Sequence, residues 1–526
     1  MIQRFIRDTE WEPPSEKKKG ATTTFSEVEH MILLVQNTNE YEIDLRAMIM
    51  AFFPVEKLTV IHPKDIGGYS SNSFGDWDFV FTALFDKEET KLRIEEQGHV
   101  IFSAYTFGDY TDKKRFRNKL KLAIYKVLKE YTGRSLPWGS LTGMRPTKIA
   151  TRALESGLDD KDIIDYYMRT YETSEEKAAL AVEVARRERR IISGVNPRRD
   201  YCLYVGIPFC PSRCVYCSFA AYPIIEYAGK VDAYIDAVRQ ELQNISLMNH
   251  GRRLAAIYVG GGTPTSISAE QLDRLLTEID YSFDMEGVEE YTVEAGRPDS
   301  ITPEKLAVMK KHGVTRISIN PQSMNADTLR KIGRAHSPEM IVHAMKLARK
   351  AGFDNVNMDL IAGLPDEKLG DMAHTLDEVL KLQPESLTVH SLAIKKKAGL
   401  NEKYEDYKAS INQDVDRMIA LAISKAKEAG LMPYYLYRQK NIAGNLENTG
   451  FAIPSTECRY NVLIMEERLD TFAAGAGAVT RLLSLDAEGE VTRVDRVENV
   501  KNVEEYINRI EEMISRKNEG IAAREI

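Results

Sequence analysis

The sequence predicts an α/β protein: a partial barrel of parallel strands, a smaller α/β domain ahead of it and a mixed domain behind it. Three observations lead there. After residue 200, strand-like runs alternate with amphipathic helical stretches about six times, and alternating β and α implies parallel strands with helices outside. The helices carry caps, proline at the first helical position or glycine just past the end. One apolar run, "YCLYVGI", leads directly into a cysteine-rich loop, at the strand end where barrels of this type hold their chemistry.

Taken in order, residues 1–24 are expected to be a flexible tail, and residues 25–135 an N-terminal α/β domain. Its strands are read from "HMILLVQ", "EKLTVIHP", "DWDFVFTALF", "TKLRIEE" and "HVIFSAYTF", which are β-branched, aromatic or alternating. The stretch "KKRFRNKLKLAIYKVLKEYTG" reads as an amphipathic helix stopped by Gly133. Residues 136–198 form a helical linker region. In it "LPWGSLTGMRPTKIA" is loop-rich, with Trp138 and Arg145 expected to dock the next domain or touch a ligand. Residues 148–193 read as polar helix and "VNPRRD" as a hinge.

The barrel is expected over 199–430, with strands "YCLYVGI", "AAIYVGG", "EEYTVEA", "TRISIN", "NVNMDLI" and "ESLTVHSLAI". A helix over about 229–248 places Val231, Tyr234, Ile235, Val238, Leu242 and Ile245 on one face. Ser268 with Gln271 forms a capping box. Thr302-Pro303 and Ser337-Pro338 open two further helices, which Gly313 and Gly352 end, and a long helix runs to Gly430. Residues 431–526 form a mixed C-terminal domain.

Composition excludes several classes. Hydrophobic residues at 43% and charged residues at 29% suit a globular chain with large cores. A net charge of −8 argues against a dedicated nucleic-acid binder. Apolar runs such as "MILLV" and "MIMAFF" are too short to span a bilayer, and the N-terminus lacks a signal core. A cytoplasmic location is therefore expected. Five cysteines, three of them clustered, do not make a disulfide framework.

The clustered three are Cys210, Cys214 and Cys217, in "YVGIPFCPSRCVYCSF". Structural zinc wants four protein ligands, and catalytic zinc with three commonly includes histidine. An iron–sulfur cluster normally takes four cysteines, so three leave one iron open to something that is not protein. Cys202 lies on the strand and reads as a small buried hydrophobe, and Cys458 is distant in sequence. The run "YVGGGTPTSI" after the second strand brings Gly260, Gly261 and Gly262 together, either for close backbone approach to a ligand or for a tight connection.

The C-x3-C-x2-C loop after the first strand of a partial barrel resembles the signature of radical S-adenosylmethionine (SAM) enzymes. That resemblance implies a radical SAM barrel and a 4Fe–4S cluster whose fourth iron is chelated by SAM. Reduction of SAM would give methionine and a 5′-deoxyadenosyl radical that abstracts hydrogen. "GGGTP" is similar to the family segment that binds the amino group of SAM. "YTVEAGRP", "ISINPQSMNADTLRKIGRAHS", "NMDLIAGLP" and "HSLAI" resemble, in order, the oxygen-independent coproporphyrinogen III oxidases (HemN) and their relatives. The segments "PWGSLTGMRPTK" and "PYYLYRQKNIAGN", with the tail "ECRYNVLIMEE", resemble the longer HemZ branch. A C-terminal HemN-like domain is then expected over 431–526.

The family's SAM-contacting positions carry over to Tyr204, Tyr216, Gly261, Gly262, Thr263, Glu294, Gln322, Arg334, Asp359 and Ala393. Glu294 and Asp359 can accept from amino or hydroxyl groups, and Arg334 can pair with a carboxylate. The competing view makes Glu294, Arg334 and Asp359 structural ion pairs between strand ends. One SAM is implied, and the mapped set spans the sites for two. "FAAGAGAVT" is similar to a family tail segment near SAM.

Two departures bear on the substrate. Gly206 stands where HemN has histidine, and Phe219 where it has a further cysteine, which is similar to the haem-chaperone branch HemW. In "CRYN", Tyr460 precedes Asn461, so haem ligation by histidine there is not supported. The resemblance implies an oxidoreductase converting porphyrinogen propionates to vinyls in anaerobic haem biosynthesis, with a flavodoxin- or ferredoxin-type donor. Alternatives are a haem-binding chaperone and another two-SAM enzyme, such as a methyltransferase or tetrapyrrole-modifying enzyme. Tyr204 is expected to act at the catalytic centre. Arg438, in the aromatic setting after "PYYLY", is the expected propionate partner, with Lys395, Lys396, Lys397 and Lys440 as further cations.

Overall fold

The computed structural model describes residues 31–53, 57–62, 77–86, 89–97, 99–107, 112–217, 221–393, 414–438 and 445–524. Lys395, Lys396, Lys397, Lys440, Phe219 and the expected 1–24 tail lie outside the described residues. The chain forms two compact units, residues 1–182 with 438–446, and residues 183–437 with 447–526.

The first unit holds a five-stranded sheet of β1 (Met31–Gln36), β2 (Lys57–Ile61), β3 (Phe79–Phe85), β4 (Glu89–Glu96) and β5 (His99–Phe107). The strand order is β2-β1-β3-β4-β5. β1 pairs in parallel with β2 and β3, and β3, β4 and β5 form an antiparallel meander. All five strands were read from the sequence. The helix α1 (Glu42–Phe52) was not. It buries Leu45, Met48, Ile49 and Phe52, and the unbroken apolar run "MIMAFF" masks that helical period. α2 (Lys113–Thr132) is capped by Asp112, which accepts from the Arg115 amide at 3.0 Å, and ends at Gly133 with φ +67°.

Residues 148–193 are not one polar helix but parts of three: α3 (Thr147–Glu155), α4 (Asp160–Tyr171) and α5 (Glu175–Ile192). Gly157 (φ +82°) and Glu172 (φ +53°) turn left-handed and separate them. Trp138 is fully buried in its own unit, where its carbonyl accepts from Thr173 Oγ1 at 3.3 Å.

The second unit is built on one long sheet. Its six parallel strands are β6 (Asp200–Ile207), β9 (Arg253–Gly261), β10 (Glu290–Glu294), β11 (Arg316–Ser318), β12 (Val356–Ala362) and β13 (Ser386–Ser391). Between β6 and β9 lie two short strands, β7 (Phe209–Cys210) and β8 (Tyr222–Pro223), the single turn α6 (Ile224–Tyr227) and α7 (Val231–Met248). The outer helices that follow are α8 (Ala269–Ser282), α9 (Pro303–Lys311), α10 (Ala326–Lys331), α11 (Pro338–Lys350), α12 (Leu369–Lys381) and α13 (Val415–Glu428). The expected capping box is complete: Gln271 N donates to Ser268 Oγ (3.2 Å) and Ser268 N to Gln271 Oε1 (3.0 Å). This is the six-unit α/β barrel arrangement expected from the sequence.

Strand alternation sorts its interior from its exterior. On β6, Leu203, Val205 and Ile207 pack outward into a core with Tyr234, Ile235, Val238 and Leu242 of α7. Cys202 and Tyr204 face the other way, toward Tyr258, Tyr434, Tyr435 and Tyr460.

The C-terminal segment extends this sheet at both edges. It supplies β14 (Met432–Arg438) and β15 (Glu447–Ala452) beside β13, and β16 (Asp470–Ala474), β17 (Val479–Leu485) and β18 (Val491–Glu498) beside β6. β16 lies parallel to β6, with Phe472 opposite Leu203. The helices α14 (Arg459–Met465), α15 (Val503–Asn508) and α16 (Ile510–Ala522) complete the unit. Glu241 on α7 is fully buried and gathers four C-terminal partners: Lys517 Nζ, Tyr506 Oη (2.5 Å), Asn499 Nδ2 (2.8 Å) and the Gly475 amide (2.9 Å).

"VNPRRD", expected to hinge, is tied down. Buried Asp200 accepts from the Asn196 amide (2.8 Å) and Arg253 Nη2 (2.6 Å). No helix among the described residues is long and apolar enough to cross a membrane.

Candidate cluster and cosubstrate site

The cysteine loop starts where β6 ends. β7 and β8 pair in parallel at its base. Val215 N donates to the Ile332 carbonyl (3.1 Å), Cys217 N to the Cys214 carbonyl (3.1 Å) and Ser212 Oγ to the Gly333 carbonyl (3.2 Å). The loop is thus pinned to the turn after α10.

The glycine run serves the same place. Gly262 N donates to the Ile207 carbonyl and Thr263 N to the Phe209 carbonyl, both at 2.7 Å. A Cβ on Gly262 would stand 2.6 Å from the Phe209 carbonyl oxygen. Gly261 sits at φ +109°, where its Cβ would meet the Tyr204 hydroxyl at 3.2 Å. Only glycine allows that approach, and the approach brings Thr263 Oγ1 to 3.4 Å from Cys210 Sγ.

The three cysteines suit a cluster. Burial pushes the Cys210 thiol up to about 11, with the Thr263 hydroxyl pulling the other way. Bare thiolate is thus costly there, and bound metal removes that cost. Arg297 Nη1 donates to Cys214 Sγ at 3.7 Å. Donors on two of three sulfurs match the surroundings of ligating thiolates. Among the described residues, no three His, Cys, Asp or Glu are placed to hold one metal ion. A single zinc needs such convergence, whereas three thiolates on different irons of one cluster do not. Cys202 and Cys458 lie together elsewhere in the interior, and Cys458 donates to Glu290 Oε1 at 3.2 Å. Burial raises both of these thiols.

Above the loop, polar groups gather at the carboxyl ends of the strands. The Tyr204 ring lies parallel to Tyr258 (6.3 Å between centroids) and Tyr460 (6.4 Å), and Tyr258 stacks on Tyr460 at 4.7 Å. Tyr258 Oη donates to Glu294 Oε1 (2.5 Å), and Gly261 N to Glu294 Oε2 (3.3 Å). Burial pushes Glu294 up to about 7; the Tyr258 hydroxyl opposes this and the Asp359 charge adds to it. Asp359 shows the reverse balance. Burial would raise it, but His390 (Nε2 at 3.9 Å) and Asn357 Nδ2 (2.7 Å) hold it below its ordinary value.

Gln322 adopts φ +67°; its amide donates to the Asp359 carbonyl (2.9 Å) and its carbonyl accepts from Ile361 N (3.0 Å). Arg334 Nε donates to Tyr216 Oη in the cysteine loop (3.2 Å), and Nη1 to the Asn320 carbonyl. Ala393 lies just past β13. Among the described residues, neither Glu294 nor Arg334 forms half of an inter-strand carboxylate–guanidinium pair, and Asp359 faces the His390 ring, with Nε2 at 3.9 Å.

Other expectations land differently. The Gly206 Cβ position meets only ordinary contacts, the Tyr204 ring at 3.4 Å and the Ala474 carbonyl at 3.5 Å, so backbone crowding does not demand this glycine. Arg438 is 2% exposed. Its Nη1 donates to the Leu141 carbonyl (2.6 Å), its Nη2 to Asn445 Oδ1, and its guanidinium lies over Trp138 at 5.7 Å. The aromatic setting that marked Arg438 as a substrate cation is accompanied by internal partners that engage the guanidinium.

Sequence reasoning missed Tyr258, Arg297 and His390. Tyr258 was detectable, two residues before Gly260 and so on the same strand face. His390 was quoted within its motif but not assigned. Arg297 was likewise quoted within its motif but not assigned, because its contact with Cys214 joins segments remote in the chain.

The radical SAM superfamily profile matches residues 204–379. The oxygen-independent coproporphyrinogen-III oxidase-like protein HemZ of Bacillus subtilis (strain 168) is 41% identical over 431 residues, covering 81% of this chain and 84% of that protein. The heme chaperone HemW of Lactococcus lactis (strain IL1403) is 32% identical over 276 residues, covering 52% of this chain and 68% of that protein. The coproporphyrinogen III oxidase (HemN) of Escherichia coli superposes with a TM-score of 0.49 at 23% identity, covering 62% of this chain and 72% of that one.

Proposed function

Because the chain belongs to the radical SAM superfamily, and within it to the family of oxygen-independent coproporphyrinogen-III oxidase-like proteins, we propose that it oxidatively decarboxylates propionate side chains of coproporphyrinogen III. The observation that carries this is 41% identity sustained over 84% of the HemZ protein, with Cys210, Cys214, Cys217, Glu294, Gln322, Arg334 and Asp359 inside the 204–379 span of the radical SAM match. When bound, the cluster and SAM supply a 5′-deoxyadenosyl radical. A propionate would then lose a β-hydrogen atom to that radical, which becomes 5′-deoxyadenosine, and release carbon dioxide and, to an external one-electron acceptor, one electron, leaving a vinyl group. Two such rounds give protoporphyrinogen IX.

The chain's own residues have definable tasks. Cys210, Cys214 and Cys217 would hold the cluster. Gly261, Gly262 and Thr263 present backbone and hydroxyl beside it. Glu294, ionised above about pH 7, and Asp359, ionised well below that, accept from the amino and hydroxyl groups of SAM. Arg334 takes its carboxylate. Tyr204 and the aromatic rings beside it wall the interior and keep water from the reacting carbon. We take one SAM as the working stoichiometry and a cytoplasmic flavodoxin- or ferredoxin-type protein as the donor, since cluster reduction needs a low potential. Lys395, Lys396, Lys397 and Lys440 are the proposed propionate partners; Arg438 is not among them.

The test is anaerobic turnover of coproporphyrinogen III with SAM and dithionite, read by mass. A tripropionate intermediate and protoporphyrinogen, both lost in Cys214→Ala, uphold the reading. Intact porphyrinogen alongside 5′-deoxyadenosine overturns the substrate. Gly206 and Phe219, together with the HemW likeness, favour haem handling as the second reading. Stable haem binding without SAM consumption would establish that reading instead. Methyl gain by the product would mark a different two-SAM reaction.

A further inference from the structure

Of the three cluster cysteines, Cys214 has the most structured surroundings. It is 8% exposed. Arg297, itself 3% exposed, sits against it in a fixed orientation. Arg297 Nε donates to Asp299 Oδ1 (2.9 Å) and Nη2 to Asp299 Oδ2 (2.8 Å). This two-point clamp uses one edge of the guanidinium and aims Nη1 at the cysteine loop. There Nη1 meets the Ser212 carbonyl (3.3 Å), Ser212 Oγ (3.2 Å) and Cys214 Sγ (3.7 Å). Among the described residues, Cys210 Sγ accepts from a neutral hydroxyl, that of Thr263.

A structural ion pair alone would be complete with Asp299. The third nitrogen instead reaches a ligand sulfur; Asp299 offsets part of the charge from the opposite edge of the guanidinium, and Arg334 adds a second cation beside Cys214. Burial and the Arg334 charge lower the buried His336 to about 4, so it stays neutral at physiological pH.

We propose that Arg297 is a positioning residue that sets the reduction potential of the cluster. This rests on the family reading of Cys210, Cys214 and Cys217 as its ligands. Reduction adds one electron, and the added negative charge spreads onto the sulfurs. A cationic donor fixed on one sulfur stabilises the reduced state more than the oxidised one, so it raises the potential. The clamp makes this a built feature: the guanidinium is already oriented before the electron arrives.

The test is an anaerobic redox titration of the reconstituted chain, followed by electron paramagnetic resonance without tetrapyrrole present. Arg297→Gln should keep wild-type iron and sulfide content. Its midpoint should move to more negative potential by at least a tenfold change in the one-electron equilibrium, 59 mV. Arg297→Lys keeps the charge but loses the fork, and should fall between. A loaded Arg297→Gln cluster at the wild-type potential overturns the proposal. If Arg297→Gln takes up no cluster yet melts as the wild type does, Arg297→Lys decides. Loaded and more negative, it upholds the proposal; loaded at the wild-type potential, or equally empty, it overturns it. Because substrate is absent from the titration, failure here leaves the decarboxylation reading intact, which turns on product mass.

Discussion

Replacing Glu294 with glutamine should make the SAM-free chain more stable at alkaline pH, at the cost of SAM affinity. Burial lifts this carboxyl from 4.5 to about 7. About 2.5 units at 1.36 kcal/mol each correspond to roughly 3 kcal/mol against the ionised form. The side chain is partly open at the strand ends, so about 2 kcal/mol is the working figure. The sign follows from proton binding. Between pH 4.5 and about 7 the folded chain keeps a proton that the unfolded chain has lost, so stability falls as pH rises through that window. Above it the penalty is full and constant, and below it absent. Glutamine does not titrate. It can still accept from Tyr258, but its amide cannot accept from Gly261 N, a loss of about 1 kcal/mol at every pH. Glu294→Gln should therefore be less stable than wild type at pH 4.5 and more stable by about 1 kcal/mol at pH 8. Urea denaturation at both pH values measures the difference. A difference that does not change with pH would refute the reasoning.

Three further outcomes follow from the packing. Gly262→Ala sets a Cβ 2.6 Å from the Phe209 carbonyl, displacing Thr263 from Cys210; iron content after reconstitution should drop well below wild type, and wild-type iron would contradict this. Lys517→Met removes the cation paired with buried Glu241 and should cost about 3–5 kcal/mol in denaturation; a loss below about 1 kcal/mol would sink the pairing. Arg438→Met should cost about 1.5–3 kcal/mol through its lost bonds to Leu141 and Asn445. Affinity for coproporphyrinogen III should stay unchanged, and a weakened affinity would return Arg438 to the site.

What was legible in the sequence was whatever repeats locally. The six barrel strands declare themselves through β-branched runs, and Ser268, Thr302 and Ser337 mark helix starts by caps that act within one turn. The cysteine loop was legible because cysteine is rare in this chain and the three are adjacent. Contacts between distant segments were not. Arg438 sits in an aromatic stretch whether it binds a propionate or packs on Trp138, and only the fold separates these. Asp200 in "VNPRRD" looks like a solvated turn residue until Arg253 is found beside it. α1 was hidden because apolar residues, Ile43 among them, also stand on its exposed side and blur the polar stripe that reveals a period.

The parallel seating of β16 on β6 has a consequence during synthesis. β6 spans residues 200–207, while the strand that covers its free edge is made only at residues 470–474. Until then the ribosome-bound chain displays an apolar strand with an open edge beside the cysteine loop. Such an edge invites pairing with another nascent chain, and closure across so long a loop is slow. A chain that stops short of Asp470 would retain all three cysteines and still present that edge to its neighbours.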